Sequence, residues 1–366
     1  MRRQIMRIGW WLIASGFCGN QQDLFMEALV ITEIGHAEIR DIQAPICDPN
    51  SVILSVQNVG LCGSDLNTYS GMNPLVELPR IPGHEIGGTI QARGDNVPAE
   101  MAVGKSAIVI PYTTCGRCSS CLAGRQNACR FNRTLGVQQD GGMSGLLKVH
   151  HDRLILNDTL APLHLSLVEP LSVGFHAVVR GRVAPGETVV VFGGGMIGVG
   201  AMLGALARDA KVVMVEISEM KRQTLLNLGA TAVINPEETD LAAEIAKHTG
   251  EQGAQVIIEA VGLPQTFRSA VDLASFAGRV VYVGYAKEEV SYNTSLFNLK
   301  ELDIMGSRNA TRSDFEEVIS FLEAHPTLGD MLISRVFPWS EADQSFDYWQ
   351  QNRSETFKVI IDVAGK

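Results

Sequence analysis

Cys115, Cys118, Cys121 and Cys129 follow one another in the spacing Cys-x2-Cys-x2-Cys-x7-Cys. Three thiolates three residues apart, with a fourth eight residues on, can wrap one ion tetrahedrally. Four thiolates fill every position of a zinc ion and leave none for a substrate, so such a site serves folding and not catalysis. The surrounding "GRCSSCLAGRQNACRFNR" is mostly polar and has too few apolar side chains to pack by itself. The same pattern is also open to unliganded thiols, two disulfides or a zinc ribbon that reads DNA. Chemistry has to be sought elsewhere. Cys62 stands in "GLCGSDLNTYSG", His84 and Glu85 in "PRIPGHEIGG", and Glu169 in "SLVEPLSVGFH". Singly, each of these residue types is more often structural. Together they offer a thiolate, an imidazole and one or two carboxylates, the donor set of an open zinc site with one position left for water or substrate.

A third feature is the loop Gly193-Gly194-Gly195-Met196-Ile197-Gly198, which reads Gly-x-Gly-x-x-Gly at 193, 195 and 198. In a chain with 36 glycines the pattern alone is weak. Here it follows the strand-like "ETVVVF" and opens a run with helical spacing, the context that gives it meaning. The first glycine allows a tight turn, the second lets backbone approach a pyrophosphate, and the third lets helix and strand pack closely. The helix N-terminus then offers free N–H groups to the phosphates. Glu216 ends the next strand, 18 residues after Gly198. An acid there accepts hydrogen bonds from the adenosine ribose and repels a 2′-phosphate, which favours NAD over NADP. Lys221 and Arg222, close behind, temper that preference. The plainer reading is a glycine-rich turn and a solvated glutamate.

The elements that carry these residues divide the chain. A length of 366 residues suggests two domains. From 26 to about 110, "MEALVIT", "SVILSVQNVG" and "GKSAIVIPY" read as strands without a long amphipathic helix. From about 175, strands "KVVMVEI", "AQVIIEAVG" and "RVVYVGY" alternate with helices such as "LAAEIAKHTG" and "PQTFRSAVDLASFAG", which indicates a parallel sheet of βαβ units. After about 310 the pattern loosens into one more helix, "SDFEEVISFLEAH", and a closing strand, "TFKVIIDV", able to return to the first domain.

Hydrophobic residues at 46% and charged residues at 19% describe a soluble globular chain. A formal net charge of −10 argues against nucleic acid as a partner, while leaving room for a small anionic substrate. The seven cysteines include Cys18 and Cys47; an odd total with four in one loop fits metal ligation better than a disulfide framework. "MRRQIMRIGWWLIASGFCGN" has a basic start and an apolar stretch from Ile8 to Cys18, too short to span a bilayer. It reads as a weak secretory leader, as a functional arm or, with Met26 as the true start, as a 1–25 extension outside the protein proper. Reduced thiols and a nicotinamide enzyme belong in the cytoplasm. His150, His151 and His164 read as structural or solvated.

The cysteine lobe, "CGSD", "PGHE", "VEP" and the glycine loop, in that order, resemble the zinc-dependent medium-chain alcohol and polyol dehydrogenases over about residues 26–366. The resemblance implies an α/β protein with a GroES-like, β-rich catalytic domain at 26–174. A doubly wound Rossmann domain follows at 175–309, and a segment at 310–366 returns to the catalytic domain. It implies two zinc ions per chain. Cys62, His84 and Glu169 would hold the catalytic one, with Glu85 behind them or exchanging in. Cys115, Cys118, Cys121 and Cys129 would hold the structural one. NAD would lie on Gly193, Gly195, Met196, Ile197, Gly198, Glu216, Lys221 and Val283. A homodimer or homotetramer is implied as well.

Within the family, "IPYTTCGRCSSC", "GVQQDGGMSGLL" and "MGSRNATRSDF" resemble the L-galactonate and L-gulonate 5-dehydrogenases. That branch implies oxidation of a sugar-acid hydroxyl to a ketone, by zinc-alkoxide formation and hydride transfer. Arg308 falls where polyol-dehydrogenase relatives place a substrate-binding arginine, and its fork suits a carboxylate. Tyr69 and Asn309 are expected to face the substrate. Ser64 matches the family's first proton-relay hydroxyl, with Glu85 and Glu169 as the other acid–base groups. Asn67 stands where many relatives have histidine, so the relay is expected to run through water and the nicotinamide ribose. A sorbitol-like polyol dehydrogenase, an L-threonine dehydrogenase and a non-catalytic NAD-binding zinc protein are the competing readings.

Overall fold

A seven-stranded sheet and a six-stranded sheet share the chain between them in the computed structural model, which describes residues 24–365. The apolar N-terminal stretch read as leader or extension, with Cys18, lies outside the described residues. One unit ends at Glu169 and resumes at Leu332; the other is Pro170–Met331.

In the first unit, strands Phe25–Glu33 and His36–Gln43 form an antiparallel hairpin. The larger sheet runs Ile333–Pro338, Lys358–Asp362, Ser51–Gly60, Glu85–Arg93, Ser106–Val109, Leu154–Leu156, and Leu146–His150 also pairs with Ser51–Gly60. Ser51–Gly60 is buried along nearly its whole length because it has neighbours on both edges and core on its faces. The closing strand Lys358–Asp362 pairs antiparallel with it, placing Ile360 opposite Gly60. The chain returns to this unit only at Leu332, not near 310. Helix Arg312–Ala324 stays with the second unit because Phe315, Val318, Ile319 and Leu322 are buried there and Phe321 meets Phe175 edge-on.

The second unit's strands are all parallel, in the order Ala232–Ile234, Lys211–Val215, Thr188–Phe192, Ala254–Glu259, Ala274–Tyr282, Asp303–Gly306. Counted along the chain this is 3-2-1-4-5-6, the doubly wound dinucleotide-binding order. Its first strand, "TVVVF", is buried at every residue, as a central parallel strand covered on both faces must be. Helix Met196–Leu206, apolar almost all round, is likewise buried. Helix Leu241–Thr249 is capped by the Asp240 side chain and stopped by Gly250 in the left-handed region. Helix Val168–Arg180 begins on the first unit with Glu169 and continues into the second, so the boundary falls at Pro170 and not at 175. Among the described residues no helix is long and apolar enough to cross a membrane.

Candidate metal centres and cofactor loop

Cys62 lies at the end of the central strand, as the cap of helix Gly63–Tyr69. Asp65, in that helix's first turn, accepts the Cys62 N–H at 2.9 Å and the Gly83 N–H at 3.2 Å. One buried carboxylate thus ties the loop bearing Cys62 to the loop bearing His84. His84 Nδ1 lies 3.8 Å from Asp65 Oδ1 and makes no hydrogen bond. A carboxylate behind a ring nitrogen is the usual arrangement for a metal-binding histidine. Donor atoms of Cys62, His84 and Glu85 all lie within 4.8 Å of one another. Burial alone would depress the His84 pKa. Asp65, Cys62 and Glu169 together overcome it and hold the pKa well above its ordinary value. This site therefore favours positive charge, which together with its S, N and O donors fits a divalent ion.

Glu85 opens strand Glu85–Arg93 and is completely buried. Lys358 Nζ donates to its two oxygens at 2.7 and 2.6 Å and to Leu61 O at 2.8 Å. Gly60 lies opposite Glu85 in the antiparallel register, and a Cβ there would fall 2.0 Å from Glu85 Oε2. Glu169, also buried, accepts a short hydrogen bond from the Tyr112 phenol and is not part of the close donor group. Burial lifts its pKa to about 6, with His84 pulling it down and Glu85 adding to the rise. Glu85, expected behind the ligands or exchanging in, stands with Cys62 and His84, while Glu169, expected among the ligands, is bonded to a tyrosine.

Ser64 and Asn67 are half-buried on the same short helix. Tyr69 does not join them. Its ring stacks on Phe346 at 4.7 Å, and its hydroxyl lies 2.8 Å from Gly35 O and 3.0 Å from Asp347 Oδ1. Burial, then Asp347, pushes its pKa to about 12. Tyr69 is a core residue whose polar tip is already engaged, which corrects the expectation that it faces a substrate.

The four clustered thiols also come within 4.8 Å of one another, and none is in a disulfide. A short helix, Ser119–Leu122, and a 3-10 turn, Gln126–Ala128, bring them together. The Ser120 hydroxyl and the N–H groups of Cys121 and Arg130 lower the Cys118 pKa to about 5, while burial lifts Cys121 to about 11. Among the described residues the lobe's buried cluster is Cys118, Cys121 and Cys129, with Cys115 packed against them. His150 is exposed and bonded to Asp152, with His151 stacked on it, whereas His164 is buried.

In the second unit Gly195 caps helix Met196–Leu206, and a Cβ there would meet nothing within 4 Å. The helix N-terminus is thus left open for a phosphate. Gly193 has φ +95°, which suits glycine. Glu216 accepts the Gly194 N–H at 2.7 Å and the Ser218 N–H at 2.8 Å. It therefore clamps the loop, and its remaining lone pairs are the ones left for a ribose. Burial pushes the Lys221 pKa down, with Glu216 opposing. Arg222 is bonded to Glu219 and Glu238, so its fork is already occupied.

Val283, Arg308 and Asn309 follow the fifth and sixth strands at their carboxyl ends, where doubly wound sheets bind ligands. Arg308 is exposed, and Asn309 has φ +52°. Glu259 escaped the sequence reading. It is buried, and its Oε1 accepts from Val261 N–H, Gly262 N–H and the Thr266 hydroxyl at 2.7–2.9 Å. The signal was there in "IIEAVG", an acid closing a parallel strand ahead of a glycine.

The alcohol dehydrogenase GroES-like domain matches residues 48–158, and the zinc-binding dehydrogenase domain matches 197–324. L-galactonate-5-dehydrogenase of Escherichia coli is 34% identical, covering 87% of this chain and 94% of its own. A sorbitol dehydrogenase of Bacillus subtilis is 30% identical, covering 92% and 97%. The structure of a zinc-binding dehydrogenase from Sinorhizobium meliloti bound to NADP superposes with a TM-score of 0.83 at 28% identity, over 92% of this chain and 99% of that one. Two donor clusters in the first unit, the 3-2-1-4-5-6 sheet in the second and these matches along the chain have one meaning: the protein belongs to the zinc-type medium-chain alcohol dehydrogenase family.

Proposed function

We propose that the protein oxidises a secondary alcohol of a sugar acid, of the L-galactonate or L-gulonate C5 type, to a ketone with NAD. The observation that carries this reading is the Cys62–His84–Glu85 donor group, its thiol half-buried and its imidazole and carboxylate buried, on the same chain as an open glycine loop. The likeness to an L-galactonate-5-dehydrogenase supports the substrate class. When bound, zinc supplies Lewis acidity to the alcohol and NAD takes up the hydride.

The chain's own residues do the rest. Asp65 fixes the two donor loops, and Lys358 balances the charge of Glu85. Ser64 is the first hydroxyl on the proton's way out. Asn67 cannot hold that proton near neutral pH, so water beyond Ser64 would have to take it up, and a bound nicotinamide ribose would supply a further hydroxyl there. In Asn67→His the pH–rate profile should gain a limb near the ordinary histidine pKa of about 6.5. An unchanged profile would take position 67 off the proton's path.

Arg308, with Asn309 beside it, is assigned to the substrate carboxylate. Arg308→Ala should lower kcat/KM for hexonates by about 10–100-fold, the worth of a charge-assisted pair of about 1.5–3 kcal/mol, with little change for sorbitol. NADH formation from L-galactonate, L-gulonate, D-gluconate, sorbitol, xylitol and L-threonine tests this. Preference for the neutral polyols would favour the sorbitol-type reading, which the Bacillus relative supports. Glu216 argues for NAD, and NADP run in parallel tests it.

The four-thiol lobe is assigned a second, structural zinc. Chelation should raise amide hydrogen exchange across 112–135 and leave the strand Thr188–Phe192 protected. Exchange in the lobe that ignores the chelator would reject that assignment.

A further inference from the structure

We propose that Tyr112 decides which of two buried carboxylates joins the metal's donor set, by holding Glu169 out and leaving the place to Glu85. The inference rests on reading Cys62, His84 and Glu85 as metal donors. Both Glu85 and Glu169 are buried beside His84, and each has its own restraint. Lys358 bonds both oxygens of Glu85 and also Leu61 O, so it neutralises that carboxylate where it stands. Tyr112, itself buried, donates a hydrogen bond from its phenol to Glu169 Oε1. If Glu169 swung toward the donor group it would break that bond inside the protein, where losing a charge-assisted partner is expensive.

The position of Tyr112 is itself fixed. It sits between strand Ser106–Val109 and Cys115, on a segment bonded to the far end of the thiol lobe. Leu135 N–H donates to Pro111 O at 3.1 Å, Thr113 N–H to Asn132 Oδ1 at 3.0 Å, and Arg133 N–H to the Thr113 hydroxyl at 2.6 Å. The lobe thereby acquires a part in the chemistry. By closing on its ion it fixes the strap that bears Tyr112, and the strap fixes Glu169. Tyr112 is thus a positioning residue that acts through Glu169.

The test is the visible absorption of the cobalt(II)-substituted protein, taken as a difference against Cys62→Ser so that the thiol lobe's own bands cancel. Glu169→Gln alone should leave the bands in place, because Glu169 is not a donor. Tyr112→Phe should shift them as the freed carboxylate enters, and adding Glu169→Gln to Tyr112→Phe should return them to the wild-type position. A Tyr112→Phe spectrum identical to wild type would overturn the proposal. So would a shift of equal size from Glu169→Gln alone. A wild-type chain that gives no Cys62-dependent cobalt bands would sink the metal reading, and this inference with it.

Discussion

Replacing Lys358 by methionine should destabilise the first unit by about 3–5 kcal/mol, the cost of stranding a charge in a protein interior. Glu85 is fully buried and Lys358 almost so. Among the described residues the ammonium group is the one cation bonded to that carboxylate, and it also satisfies Leu61 O at the end of the central strand. Methionine keeps the volume and removes only the charge and the donors. The neutral pair Glu85→Gln/Lys358→Met should recover much of the loss, since removing both charges of a buried pair costs far less than removing one. Urea unfolding measures it. In a chain begun at Met26 the tryptophans are Trp339 and Trp349, both in the first unit, so fluorescence follows that unit. An unchanged midpoint for Lys358→Met would mean that Glu85 does not carry its charge in the fold.

That pair also shows where sequence reading stops. Elements whose cause is local were legible. "TVVVF" announces a buried strand by its own residues, Asp240 and Gly250 mark both ends of their helix, and four thiols in one loop gather at one point. The donor types Cys62, His84 and Glu85 were legible too, because each sits in a short motif.

Which carboxylate stands among them was not legible. The answer depends on Lys358, 273 residues from Glu85, and on Tyr112, 57 residues from Glu169. Tyr69 misled for a related reason. It was expected to face a substrate, but its hydroxyl is claimed by Asp347, 278 residues away. The late return at Leu332 was hidden because helix Arg312–Ala324 has an ordinary amphipathic pattern. Such a pattern says that one face is buried and not which unit buries it.

Gly198→Ala should lower NADH affinity by about 100-fold and destabilise the second unit, whereas Gly195→Ala should weaken binding and leave stability nearly unchanged. The two glycines differ in what surrounds them. A Cβ on Gly198 would fall 1.8 Å from Gly193 O and 3.0 Å from Gly193 C, so the backbone of the turn has to move away from the helix. Overpacking of this kind costs about 1–3 kcal/mol. It also turns the helix's free N–H groups away from the phosphates they would hold. A Cβ on Gly195 meets nothing within 4 Å, and φ −75° there suits any residue. Its methyl would occupy only space that a bound pyrophosphate needs. NADH fluorescence titration together with thermal unfolding separates the two effects. If Gly195→Ala binds NADH as wild type does, the open space at the helix N-terminus is not where the phosphates lie. If Gly198→Ala does so too, the loop is a turn that the sheet needs and the cofactor does not.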